Sequence, residues 1–594
     1  MTRIRDGIPA SPGIVIAPAR VLRWEVPRVP HGGVIPLQQV EAEVAAFREA
    51  CGWAKGRIRE VQRRTEAQLG RVEAQIFEPQ ILMLEDADLV EGTIHYIREN
   101  HLTAARAFEW RVLEWESQWS HTSHPMVLDK LNDLADVQAW VLRRLLALPD
   151  PEITLRGSAE QVILVAREIT PSIAVQLDLN QVVGIATDSG TRTSHSAILT
   201  RSMDLPSVVS LGDLSEHVRS GDELILDGRT GRVIVAPTEE EKRAYRERDF
   251  RIREWEQELL LLAHLDATTR DGVRVQLRAN IDLPGEAENA RAHGAEGVGL
   301  FRTEFLVVGR SVAPGEDEQF QAYRAVAEAF RGAPVVIRTY DLGGDKFPAF
   351  LHMAPEENPF LGWRAIRVCL DEPRLFRGQL RALLRAAAFG DVRIMIPLVN
   401  DVAEITATRA LLRGCADDLR AEGHEIGPEP QLGAMIETPA AAVSAAALAP
   451  HVDFFSIGTN DLVQYTLAVD RGNSRLARLY NPFHPAVVRL LECTVRAARE
   501  AQIEVAVCGE LAGNPLGAFM LVGMGVDSLS VGPAALAEIK KVIRSITRSD
   551  GERAVAEALR ATTPDEVVST LTAHLPQSVD LSLFGGVWSL PEPS

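Results

Sequence analysis

From Val273 onward the chain alternates short apolar, β-prone runs with longer helical stretches, and this alternation restricts the fold more than any other feature. The runs read VRVQLRANI, EGVGLF, PVVIRTYDL, VRIMIPL, QLGAMIE, VDFFSIG, EVAVCGE and DSLSVG. Strands that are apolar almost throughout need both faces covered, which is the pattern of a parallel sheet wrapped by helices. Eight such units over roughly 300 residues match the count and length of a (β/α)8 TIM barrel. In that architecture chemistry gathers at the C-terminal ends of the strands. Asn280, Arg302, Arg338, Asn400 just beyond its strand, Glu437, Asn460 with Asp461, and Cys508 all follow or close an apolar run. Structural polar residues would scatter to both ends, so this one-sided placement predicts a single active site at the barrel mouth.

The residue types at that mouth narrow the chemistry. Arg302, Arg338 and Arg471, with Arg364 in NPFLGWRA, offer forked hydrogen bonds suited to phosphate and carboxylate, although any one of them also fits a surface ion pair. Glu437 and Asp461 have no Cys or His beside them; they suit a hard divalent ion such as Mg2+, or else an ion pair on the rim. The GTNDL segment presents Asn460 and backbone amides in what reads as a tight turn. Cys508 is either a buried structural thiol or a proton donor. Together these groups suggest a small phosphorylated carboxylate as ligand.

Upstream the pattern differs. Residues 4–24 hold two short β-like runs punctuated by Pro and Gly, too little to fold alone. Val40, Val44, Phe47, Cys51, Ala54, Ile58 and Val61 then recur at helical spacing. Similar stripes run from Ile76 to Ile97, from Ala104 to Trp119, and through Leu128, Leu131, Leu134, Val141 and Leu145, predicting an antiparallel helical bundle that ends at LPDPE. His121 and His124, three apart in HTSHP, read as an exposed turn or a metal pair, and no carboxylate pattern supports the metal. Strand-like runs return at QVILVA, QVVGIAT and PSVVSL and in the hairpin DELILDGRTGRVIVAP, expected to collect the N-terminal runs into one mixed domain with the bundle as an insertion. Next, Tyr245, Ile252, Trp255, Leu259 and Leu262 mark one stripe of a linker helix, long enough at 1.5 Å per residue to separate its two ends by roughly 40 Å.

One histidine stands out in the mixed domain. In TDSGTRTSHSAILTRSM, a strand and turn lead to Thr193 and Ser194, good capping residues, and place His195 in the first turn of a predicted helix. Unpaired amides and the helix dipole favour an anion there, so His195 is either a phosphohistidine site or a histidine with no chemistry.

The totals set outer bounds. At 594 residues the chain exceeds one core. Its net charge of −19 argues against nonspecific nucleic-acid binding and is compatible with a basic protein partner or with small anions held by local arginines. The five cysteines are far apart and form no CxxC pair, as in a reducing cytoplasm. No apolar window approaches membrane-spanning length, so a cytoplasmic chain without membrane insertion is expected.

With these residues in view, the chain resembles enzyme I of the bacterial sugar phosphotransferase system, the family of phosphoenolpyruvate-protein phosphotransferases. The resemblance runs almost end to end, through GIPASPGIVIAPA, IFEPQILMLEDADL, TDSGTRTSHSAIL, GVGLFRTEFL, IRTYDLGGDK, EENPFLGWRAIR, MIETPAA, FFSIGTNDLVQYTLAVDRGN and CGELAG. It implies a phosphohistidine β/α domain that swivels (1–25 and 149–236), an inserted helical domain docking the histidine phosphocarrier HPr (26–148), a linker helix (237–264), a phosphoenolpyruvate-binding barrel (265–575) and a C-terminal tail (576–594). By the same resemblance His195 is the phosphorylated residue. Arg302, Arg338, Arg364, Asn460 and Arg471 bind substrate, Glu437 and Asp461 hold Mg2+, with Asp461 also in the substrate site, and Cys508 protonates the enolate as pyruvate forms. A homodimer through the barrel is also implied.

Some positions depart from the family pattern. Thr191 and Ser210 stand where glycines are usual, and LADVQAW lacks an Arg-Asp that many members carry in the docking domain. The related dikinases and synthases that share a swivelling histidine domain also need a nucleotide-binding domain, for which the N-terminal half has no Gly-rich phosphate loop. A nitrogen-branch regulatory paralogue and a carrier-binding scaffold without turnover are the remaining alternatives.

Overall fold

The computed structural model describes residues 3–22, 26–30, 32–69, 77–119, 125–148, 161–169, 173, 177, 181–190, 205–307, 310, 312–343, 350–351, 356–471 and 473–584. His195, Thr191, Ile76, His121 and His124 lie outside them. The chain divides into two compact units, residues 1–252 with 585–594, and residues 253–584.

The first unit contains an eight-stranded mixed sheet. Its strands are β1 (Ile4–Asp6), β2 (Ile8–Ser11), β3 (Ile14–Leu22), β4 (Val162–Ala166), β5 (Val182–Thr187), β6 (Ser207–Val209), β7 (Glu223–Asp227) and β8 (Arg232–Val235), in the order β1-β8-β7-β3-β4-β5-β6-β2. Where two β-like runs were expected at the N-terminus there are three strands, because Gly7 and the Pro12-Gly13 pair each interrupt pairing. β3, β4, β5 and β6 run parallel, and VILVA of β4 is buried along its whole length, as a strand covered on both faces should be. β7 and β8 form the expected hairpin, whose turn is held by Asp227 Oδ1 accepting from the amides of Arg229 and Thr230.

Between β3 and β4 the chain forms a helical bundle with a core of its own around Phe47, Phe108, Val112, Val137 and Trp140. The stripe read as continuous up to Ile97 is two helices, Glu78–Glu85 and Ala87–Asn100. Asp86 separates them: its extended backbone ends the first, and its carboxylate caps the second by accepting from the amides of Asp88 and Leu89. Apolar spacing alone cannot show such a break.

Ser210 takes a φ of +60°. It thus adopts the left-handed backbone that glycine would adopt without strain, and its hydroxyl donates to the Gly190 carbonyl at 2.6 Å. The helix Glu239–Leu262 follows, opened by Thr238 and Glu241 bonding to each other's backbone amides. Ile252, Trp255 and Leu259 are buried as the stripe predicts.

The second unit is a closed parallel barrel of β9 (Gln276–Ile281), β10 (Val298–Phe301), β11 (Pro334–Arg338), β12 (Asp391–Ile396), β13 (Leu432–Ile436), β14 (Phe454–Ile457), β15 (Glu504–Val507) and β16 (Ser528–Val531), with β16 pairing back to β9. Seven strands fall within their apolar runs, and β12 begins one residue ahead of its own, at Asp391. Leu300, Val336, Met395, Met435, Phe454 and Cys508 form one buried cluster, separate from the larger core between strands and helices. None of the described helices is long and apolar enough to cross a membrane.

Candidate active site

The mouth residues converge. Arg302 directly follows β10, Arg338 closes β11, Glu437 follows β13 and Cys508 follows β15. Asn460 and Asp461 lie in the first turn of the helix Thr459–Leu467, not in a tight turn. The Gly-Thr-Asn-Asp string has turn composition, but Leu462 and Val463 are fully buried, and packing them overrides it. Arg302, Arg338, Glu437, Asn460, Asp461 and Cys508, with Arg471, Asp341, Leu300, Met435, Gly458 and Gly509, line a pocket with about 430 Å³ of free space including its open mouth.

Charges alternate along the pocket wall and just behind it. Arg338 Nη2 donates to Glu304 Oε1 at 2.7 Å, and its Nη1 lies 3.1 Å from Asp341 Oδ2. Arg364 Nη2 donates to Asp341 Oδ1 at 2.9 Å and lies 3.4 Å from Asp461 Oδ2, while its Nη1 donates to the Tyr465 hydroxyl at 2.9 Å. Arg364 is therefore beside the pocket through its partners and is not part of its lining. Its approach depends on Gly343, at φ +133°, where a Cβ would come within 2.1 Å of Arg364 Cβ. Arg302 Nη1 donates to Asp282 Oδ1 at 2.7 Å, and Arg471 Nη1 lies 3.6 Å from Asp461 Oδ1. Asn400 stays outside the lining; its side chain bonds to the Leu398 carbonyl and accepts from Thr438.

Glu304 and Asp341 carry much of this geometry, and sequence reasoning missed both. Their signal was position: two residues past Arg302 and three past Arg338, at the same strand ends. Asn460 is more engaged than a free ligand-binding amide. Its Nδ2 donates to Glu510 Oε1 at 3.1 Å and its Oδ1 accepts from the Glu510 amide at 2.9 Å, leaving one amide proton for a ligand.

Electrostatics show what the pocket lacks. Glu304, Asp341, Glu437 and Asp461 are buried carboxylates, against two buried guanidiniums, Arg338 and Arg364. Burial and then the Asp461 and Asp341 charges push the Glu437 carboxyl up to about 8, with Arg338 and Arg364 opposing. Burial pulls the Arg338 guanidinium down, but Glu304, Asp341, Glu437 and Asp461 outweigh it and hold the charge in place. Asp461 Oδ1 is buried with no hydrogen-bond donor. Burial pushes the Cys508 thiol up, with Glu437 acting in the same sense and Ser456, Arg338 and Arg302 against, so the sulfur keeps its proton at neutral pH. Among the described residues no three His, Cys, Asp or Glu side chains form a metal-holding group.

Three family models match the chain in order: the N-terminal domain of PEP-utilising enzymes over residues 6–126, their mobile domain over 158–231 and their PEP-binding domain over 256–548. The chain is 39% identical over 576 residues to the phosphoenolpyruvate-protein phosphotransferase of Staphylococcus carnosus, an alignment covering 97% of this chain and 99% of that one. The chain belongs to the phosphoenolpyruvate-protein phosphotransferase family. The Haemophilus influenzae phosphotransferase is 40% identical over 562 residues, 95% of this chain and 97% of its own length. A solution NMR structure of an Enzyme I protein aligns with 42% of this chain and 99% of that one, at 31% identity and a TM-score of 0.35. As a phosphoenolpyruvate-protein phosphotransferase the chain is a transferase, and the model for the family's PEP-binding domain spans the barrel strands that form the pocket.

Proposed function

We propose that the barrel pocket binds phosphoenolpyruvate, that His195 accepts its phosphoryl group with release of pyruvate, and that a histidine of the phosphocarrier HPr receives it next. The observation that carries this reading is one pocket lined by Arg302, Arg338, Arg471, Glu437, Asn460, Asp461 and Cys508 together. Arg302, Arg338 and Arg471 bind the phosphate and carboxylate through charge-assisted hydrogen bonds, Asn460 adds its remaining amide proton, and Arg364 holds Asp341 and Asp461 in place.

The donor set at Glu437 and Asp461 fits Mg2+. Two buried carboxylates, Asp461 with an oxygen whose nearest cation, Arg471, stays beyond hydrogen-bond distance at 3.6 Å, and Glu437 raised by burial and then by its acidic neighbours, would suit a hard cation, with substrate oxygens and water completing its ligands. When bound there, Mg2+ supplies charge neutralisation at the substrate oxygens. The neutral imidazole of His195 attacks phosphorus, the N–P bond forms as the bridging P–O bond breaks, and the electron pair passes to the enolate of pyruvate. The Cys508 S–H then gives its proton to the methylene carbon, leaving a thiolate that solvent reprotonates. Swinging of the domain that carries His195 between barrel and carrier, and dimerisation through the barrel, are parts of the same proposal.

Incubation with labelled phosphoenolpyruvate and Mg2+ tests it. Acid-labile label appears on the wild-type chain and not on His195→Ala; label on both would move the acceptor elsewhere. Absence of label on wild type would favour the carrier-binding scaffold. Passing the label to a sugar-branch or a nitrogen-branch carrier decides between sugar uptake and the regulatory paralogue.

A further inference from the structure

Asn280, the penultimate residue of β9, is hydrogen-bonded more completely than a binding group would be. Its Nδ2 donates to the Cys508 carbonyl at 2.9 Å and to the Ser530 carbonyl at 3.2 Å, while the Ser530 hydroxyl donates to its Oδ1 at 2.6 Å. Both amide protons are spent on protein, so the side chain has none left for a ligand. It is also absent from the pocket lining, which does include Cys508.

The tie crosses one strand of the barrel wall. β16 lies between β9 and β15, and the amide reaches past it from β9 to the end of β15. Ser530 fits because β10 presents Gly299, where a Cβ would come within 2.3 Å of the Ser530 hydroxyl. On the other side, from the adjacent β14, the Ile457 carbonyl accepts from the Cys508 amide at 3.1 Å, and Asn460 holds Glu510 two residues on. Cys508 is thus held from β14 on one side and from β9 on the other.

We infer that Asn280, seated by Ser530, is a positioning residue that fixes the Cys508 backbone so that the thiol meets the methylene carbon of the substrate. The inference rests on the proposed role of Cys508 as proton donor. The proton step can be followed in reverse: the Cys508 thiolate takes a proton from the methyl group of pyruvate, the C–H electron pair becoming the enolate and the sulfur becoming a thiol. Exchange of pyruvate methyl protons with D2O, read by NMR with Mg2+ present in the full chain carrying His195→Ala, isolates this step from phosphoryl transfer.

In that background Cys508→Ala is expected to slow exchange by about 100-fold or more. Asn280→Ala slows it by about tenfold, with pyruvate affinity within about twofold of the reference. Asn280→Asp keeps the shape but replaces the donor facing the Cys508 carbonyl with an acceptor, and slows exchange at least as far. Ser530→Ala slows it by about threefold, and serves alone if Asn280→Ala does not fold. Exchange at the reference rate in Asn280→Ala, or in Ser530→Ala where it serves alone, while Cys508→Ala is slow, overturns this inference only. Exchange at the reference rate in Cys508→Ala overturns the proton-donor reading itself, and this inference with it. A fall in pyruvate affinity that matches the fall in exchange also overturns the inference, since Asn280 would then shape binding and not the proton's path.

Discussion

The two ends of the barrel both bury charge, and they do so differently. At the floor, where the strands begin, Arg278 Nη2 pairs with Glu504 Oε1 at 2.7 Å, Arg393 Nη1 with Glu504 Oε2 at 2.8 Å, and Arg393 Nη2 with Asp391 Oδ2 at 2.9 Å. Two guanidiniums there face two carboxylates, and the set is neutral by itself. At the mouth two buried guanidiniums face four buried carboxylates, and the other two arginines of the pocket, Arg302 and Arg471, are part-exposed on its open side. A closed set of charges can only hold the barrel together, whereas an open set is completed by whatever binds. Residue type does not separate structural from functional charge here; the balance of buried charge does.

Substitution of one buried arginine at each end separates the two sets by the largest effect. Arg338→Ala removes a forked donor from the pocket and is expected to lower kcat/KM for phosphoenolpyruvate by about 100- to 1000-fold. Arg278→Ala empties a fully buried side-chain volume and leaves Glu504 with Arg393 alone. It is expected to cost about 2–5 kcal/mol of stability, chiefly as a cavity, while folded protein keeps its kinetic constants. Calorimetric unfolding and steady-state kinetics on both variants check this. If Arg278→Ala altered kcat/KM as much as Arg338→Ala, the floor would not be a purely structural set.

The barrel was legible because its signal is local: each strand is an apolar run, and most functional residues, Arg364 and Arg471 apart, sit at or just past a run's end, where the architecture puts chemistry. Pairing is not local. Asp341 and Glu304 look like ordinary loop carboxylates until β10 and β11 lie side by side and bring them to Arg338. The same limit explains Asn280, whose position was legible but whose partners, Cys508 and Ser530, are 228 and 250 residues away. In the helical insertion the stripe gave the buried face, but the break at Asp86 depends on a cap that apolar spacing does not encode. Ser210 departs from an expected glycine, and the backbone keeps the glycine-like conformation regardless, so sequence difference there did not mean structural difference.

A subtler effect sharpens the contrast from the mouth alone. Glu437 is raised from 4.5 to about 8, first by burial and then by the Asp461 and Asp341 charges. The folded state therefore binds a proton that the unfolded state has already released above its ordinary carboxylate range. The stability this group contributes is fully present below about 4.5 and is lost as pH rises through about 8. With divalent cations removed by chelation, unfolding temperature should fall across that window, and Glu437→Gln, which cannot ionise, should flatten the fall. Mg2+ should restore stability more strongly at the upper end, because a cation replaces the proton at lower cost once the carboxyl has ionised. Thermal unfolding at several pH values, with chelator and with Mg2+, reads all three. A chelated wild type whose stability is unchanged from pH 5 to pH 8 would mean that the mouth is as closed as the floor, and that its carboxylates were already compensated within the protein.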